Sequence, residues 1–139
     1  SDLFDINLRV KALSAFSETE TAKHLAAANK RVANILAKAE EGENTPPDQS
    51  LFTEQTERAL FDRVSSVGSA IEPLMEARDY GAALNELASL RAPVDDFFEA
   101  VMVNAEDPRV RRNRLQILGT LRSLFTQLAD MAMLSPGAE

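Results

Sequence analysis

The chain has no cysteine and no tryptophan, one tyrosine and one histidine among 139 residues. Without cysteine there is neither a disulfide nor a thiolate metal site. His24 stands alone, so a catalytic triad and a histidine zinc site both lack partners; it reads as a helix surface or boundary residue. No GxGxxG or P-loop string offers backbone amides to a phosphate. No apolar run reaches the roughly 18 residues that a spanning helix needs, and no signal-peptide pattern is present. The carboxylate pairs Asp95-Asp96 and Glu106-Asp107 lack the spacing of a calcium loop and read as acidic first turns of helices. The chain therefore shows no catalytic residue, metal site or cofactor site of its own. It starts Ser1-Asp2 rather than with methionine, and we expect a single helical domain over 1–139 that is a piece of a longer chain.

What remains is an ordinary globular composition, 45% hydrophobic, enough for a real core. The net charge is −7, unevenly spread. Residues 1–50 carry 8 acidic and 6 basic groups, residues 51–107 carry 12 and 4, and residues 108–139 carry 2 and 5. A basic surface can form if the first and last segments meet, with the acidic middle turned elsewhere.

Five glycines and six prolines punctuate the chain, and the apolar spacing is helical almost throughout. A first helix is expected over about 3–15. Ser17-Glu-Thr-Glu20 reads as a capping box opening a second helix to about Glu40, with Leu25, Ala28, Val32, Ile35, Leu36 and Ala39 inward. The segment 41–50 is a flexible loop by composition. A third helix begins near Thr53, with Leu60, Val64, Val67, Ile71 and Leu74 on one face and a kink or end near residue 72 at Pro73. Asp79 caps a fourth helix. Pro93 separates it from a short fifth around 94–101. Asp107-Pro108 starts the last helix, which ends near Leu134 before a disordered tail at about 135–139. The spacing predicts an all-α bundle of five or six helices.

Two charged features stand out. On the second helix Lys23, Lys30, Asn34 and Lys38 fall within roughly 80° of one another at 100° per residue, with Arg31 beside them. The row suits a phosphate backbone and equally suits a plain solvated face. On the last helix four arginines fall between Arg109 and Arg114. Arg114 projects into the apolar arc of Leu115, Leu118, Leu121 and Phe125, so it needs a partner; Asp95, Asp96 and Glu106 are nearest in sequence. It reads as a structural ion pair. Arg111 and Arg122 lie at the edge of the arc, and Arg109 and Arg112 point away.

"LAAANKRVANIL" (25–36) and "PVDDFFEAVMVNAEDPRVRRNRLQILGTLRSLF" (93–125) resemble the C-terminal region of the β subunits of bacterial tetrameric glycyl-tRNA synthetases. "RDYGAALNELASLRAPVDDFF" between them is also similar, so the resemblance covers nearly the whole chain. The literal D-A-L-R string is absent, with Asp107-Pro108-Arg109-Val110-Arg111 in its approximate place, and Asn104 stands where the family commonly has an apolar residue. The resemblance implies a DALR-type helical anticodon-binding domain, of the kind shared with arginyl-tRNA synthetases. It implies glycine tRNA as partner, with cytosines at the last two anticodon positions. It further implies a cytoplasmic glycine–tRNA ligase that uses ATP and Mg, whose catalytic core lies in an α subunit. The remainder of the β subunit is a further partner. Lys23, Asn29, Lys30, Arg31, Asn34, Arg109, Arg111, Arg112 and Asn113 become candidate RNA contacts. The competing reading is a helical protein-interaction module without direct RNA contact.

Overall fold

A computed structural model describes residues 2–39 and 45–133. Residues 41–44 of the predicted loop and the predicted tail lie outside the described residues. Among the described residues six α-helices run α1 (Asp2–Ser17), α2 (Glu20–Ala39), α3 (Gln55–Glu76), α4 (Tyr80–Ala88), α5 (Arg91–Ala100) and α6 (Pro108–Met133), with a 3-10 turn at Gln49–Leu51 before α3. No strand occurs among the described residues, as an all-α bundle requires.

The core forms because α2, α3 and α6 each bring an apolar stripe to the same place. Val32 of α2, Leu60 and Val67 of α3, and Ile117, Leu118 and Leu121 of α6 are fully buried together, with Leu90, Val94 and Phe97 closing one side. α3 contacts α4, α5 and α6, while α2 contacts α5 and α6. α1 lies outermost, against α4 and α2. One cluster holds it there: Arg9 pairs with Asp5 at 2.9 Å, its Nε donates to the Tyr80 hydroxyl at 3.1 Å, and that hydroxyl donates to the Asp5 carboxylate. Leu3, Phe4 and Val10 remain on its exposed side.

Helix ends differ from expectation in three places, each for a local reason. Thr19, not Ser17, caps α2: its Oγ1 accepts the Ala22 N–H at 3.1 Å, while Ser17 completes α1 and bonds back to the Ser14 carbonyl. α3 runs through Pro73 to Glu76, because a proline one turn from a helix end removes a single backbone hydrogen bond. It closes with Asp79 N–H on the Leu74 carbonyl and Arg78 N–H on the Met75 carbonyl. This Schellman closure puts Arg78 at φ 60°, a conformation usually left to glycine. Pro93 does not separate α4 from α5; it sits in the first turn of α5, where its missing N–H has no helical partner to lose. Asp79 and Asp107 cap as expected, accepting the N–H groups of Ala82 at 3.2 Å and Arg109 at 2.9 Å.

Candidate nucleic-acid interface

Arg114 is buried as its position on α6 required, but its partner is Glu57 of α3. The guanidinium Nε lies 3.2 Å from Glu57 Oε2. Its other nitrogens donate to the Met102 carbonyl at 2.7 Å and Thr53 Oγ1 at 3.0 Å. Glu57 is fully buried, and its second oxygen accepts the N–H groups of Thr53 at 2.8 Å and Glu54 at 2.7 Å. Burial pushes the Glu57 carboxyl up. The two backbone N–H groups and Arg114 outweigh that and hold it below the ordinary range. The expected partners Asp95, Asp96 and Glu106 are not used. They are near in sequence, whereas α6 packs on α3.

Asn113 is likewise not a surface contact. It is 1% exposed, accepts the Asp48 N–H at 2.6 Å and donates to the Asp48 carbonyl at 3.0 Å, tying the segment before α3 to α6. Asn29 is half-buried and accepts from Arg122 at 2.9 Å, joining α2 to α6. Arg111 is half-buried and donates to the Ala105 carbonyl at 3.3 Å. Arg109 is exposed, 3.9 Å from Asp107 of its own cap. Arg112 is exposed on the same turn.

The outer face of α2 is different. Lys23, Lys30, Arg31, Asn34 and Lys38 are all exposed. Lys30, Arg31, Asn34 and Lys38 line one open depression of about 330 Å³ with Ala27 and Ile35. Lys23 instead borders a second depression with Leu13 and Phe16 of α1. Among the described residues, no carboxylate lies within ion-pairing distance of Lys23, Lys30, Arg31 or Lys38, whereas Arg9, Arg58, Arg78, Arg109 and Arg114 each have one. Lys11 and Arg63 are also exposed without such a partner among the described residues, but singly, whereas α2 gathers four such cations on one helix.

α2 is fixed by α5 through three rungs. Thr21 Oγ1 accepts from Arg91 at 3.2 Å, His24 Nε2 lies 2.5 Å from Asp95 Oδ1, and the Arg31 guanidinium lies 4.1 Å from the centre of the Phe98 ring. Residues 21, 24 and 31 share a face of α2, and 91, 95 and 98 share a face of α5. The two helices therefore run parallel, with Arg31 seated on the last rung. Phe98 in turn meets the buried Phe97 edge-on, centres 5.6 Å apart. Sequence reasoning did not find Phe98 or Glu57 as partners, because no local pattern reports a contact 57 or more residues away.

Among the described residues no group of three potential ligands could hold a metal ion, and no helix is long and apolar enough to cross a membrane.

The profile of the family described as the DALR anticodon binding domain matches residues 25–134. The chain is 51% identical over 130 residues to the glycine–tRNA ligase beta subunit of Actinobacillus pleuropneumoniae serotype 3, covering 94% of this chain and 19% of that protein. The corresponding subunits of Haemophilus influenzae and Glaesserella parasuis serovar 5 are 49% and 48% identical over the same shares. The chain spans 19% of the length of these relatives. An all-α bundle matched by that profile from the second helix to the end of the last belongs to the DALR anticodon-binding domain family.

Proposed function

We propose that this chain is the anticodon-arm-binding part of a glycine–tRNA ligase β subunit, and that it grips RNA through the outer face of α2. The observation that carries this reading is the set of cations on that face without carboxylate partners among the described residues, on a chain of net charge −7. Cations left unneutralised beside so many carboxylates favour an external anion, and a polyanion releases its counterions on binding them. Lys30 and Lys38 lie two turns apart along the helix and engage phosphates. Asn34 between them offers both a donor and an acceptor to a base edge.

Arg112 and Arg109 at the start of α6 form a second, weaker contact zone. Arg114 and Asn113 hold the fold and touch no RNA. Ligation of glycine with ATP and Mg takes place elsewhere in the parent enzyme, in its α subunit. The acidic remainder of the surface weakens binding by this domain alone. Its contribution in the whole enzyme comes from effective concentration, once other parts of the subunit hold the tRNA.

The test is glycylation kinetics in the full enzyme carrying Lys30→Ala and Lys38→Ala. We expect KM for tRNA to rise about 3- to 10-fold per lysine, with glycine-dependent ATP–pyrophosphate exchange unchanged. An unmoved KM overturns the reading. Loss of pyrophosphate exchange alongside would assign the face to assembly with protein instead.

A further inference from the structure

We propose that Arg31, held over the Phe98 ring, is the seat for one unstacked base of the anticodon loop. This rests on the reading of α2 as the RNA face, and adds what that face does with a base rather than a phosphate.

Among the described residues three arginines lie over aromatic rings: Arg31 over Phe98 at 4.1 Å, Arg58 over Phe52 at 4.9 Å and Arg9 over Tyr80 at 5.7 Å. Arg58 and Arg9 are also drawn to carboxylates, Asp62 at 3.8 Å and Asp5 at 2.9 Å. Arg31 has no such competitor among the described residues, and it is exposed. Its guanidinium is planar, with two faces. Its Cζ lies over the Phe98 ring, 4.1 Å from the centroid, and the residue is exposed to solvent, so a second planar group can approach from outside.

A base released from its stack seeks a planar surface, and an arginine plane serves as well as an aromatic ring. Holding that plane in advance lowers the ordering cost of binding. Phe98 does this directly, and Thr21–Arg91 and His24–Asp95 fix the helix that carries it. Asn34 stands one turn further along, within reach of the edge of a base seated there. Lys30 and Lys38 flank the seat along the helix and meet the phosphates on either side. Arg31 thus contributes shape as well as charge, which lysine cannot replace.

The experiment is a binding cycle in the full-length synthetase. Wild-type and Arg31→Lys enzymes are titrated with glycine tRNA and with three transcripts, each abasic at one anticodon position. For wild type, removing the base at one position weakens binding about 10-fold. Arg31→Lys weakens binding of intact tRNA by about the same factor, and the abasic transcript at that position then loses nothing further. Its dependence on salt stays that of wild type, because the charge is kept.

Losses that multiply at all three positions, or no abasic penalty in wild type, overturn the seat. Lys30→Ala and Lys38→Ala in the same assay report separately on the phosphate contacts. If they weaken binding while the cycle shows no coupling, the RNA face stands and the seat does not. If the cycle shows coupling while the lysines have no effect, the seat stands on a face that uses no phosphate contact.

Discussion

Arg114 and Arg31 carry the same guanidinium, and the fold uses them in opposite ways. Arg114 is buried, and each nitrogen that it presents meets an oxygen of α3, of the segment before it, or of the link to α6. Arg31 is exposed and, among the described residues, meets a ring and no carboxylate. A buried arginine with a partner on every nitrogen fixes the position of three chain segments and turns no open face to a ligand. A half-satisfied exposed one leaves a face open. Charge in a sequence therefore says little about binding until the partners of that charge are known.

The largest effect should come from breaking the buried pair. Arg114→Ala leaves Glu57 charged and uncompensated, so we expect a loss of about 3 kcal/mol and a melting temperature lower by roughly 10 °C. Thermal unfolding followed by circular dichroism checks this, and an unchanged midpoint would contradict the structural role. The same pair gives a pH dependence. Glu57 has a folded pKa below its unfolded value of about 4.3. Its stabilisation is therefore present above that pH and is lost as pH falls through the lower folded value. Glu57→Gln should be less stable at neutral pH, and its stability should fall less steeply between about pH 5 and 3, as urea unfolding at several pH values would show.

The cluster that holds α1 is intermediate. The Tyr80 hydroxyl is the main cause of the lowered Asp5 pKa, acting against burial and with help from Arg9 and Arg78. Tyr80→Phe removes that donor from a buried carboxylate, and we expect a loss of about 1–2 kcal/mol. Hydrogen exchange should rise first in α1. Exchange spread evenly over the bundle would contradict the local role.

The exposed side of the comparison should hardly affect folding. Arg31→Ala gives up an exposed cation–π contact worth about 0.5–1 kcal/mol. Lys30→Ala and Lys38→Ala should stay within about 0.5 kcal/mol of the parent. A larger loss in any of the three would move that residue from the binding face to the scaffold.

Most of the scaffold was legible in the sequence, because helices announce themselves by period. Leu25, Val32, Leu60, Val67 and Ile71 are buried where their spacing placed them. The need of Arg114 for a partner was also legible, since an arginine inside an apolar arc cannot stay unpaired. The identity of that partner was not. Glu57 lies at the start of another helix, and a single sequence does not state which helices pack together. Asn113 is buried, and the periodicity of α6 already carries that placement. It begins the row Asn113, Ile117, Leu121, Leu124 on α6, and that spacing alone puts it on the buried face. Asn29 and Arg122 were each read on their own helix, and their mutual bond belongs to the packing between helices. The basic row on α2 was visible. That it lacks carboxylate partners among the described residues, and that Phe98 sits under Arg31, depended on how α5 lies against it.

The central claim is that the α2 face is a phosphate-binding surface, and salt dependence tests it most directly. The affinity of the full-length synthetase for glycine tRNA should be measured across a range of potassium chloride concentrations, for wild type and for Lys30→Ala combined with Lys38→Ala. The slope of log affinity against log salt should be shallower in the variant by about 1.4 to 1.8, two released counterion contacts. An identical slope in a variant that melts at the wild-type temperature would show that these lysines meet no phosphate.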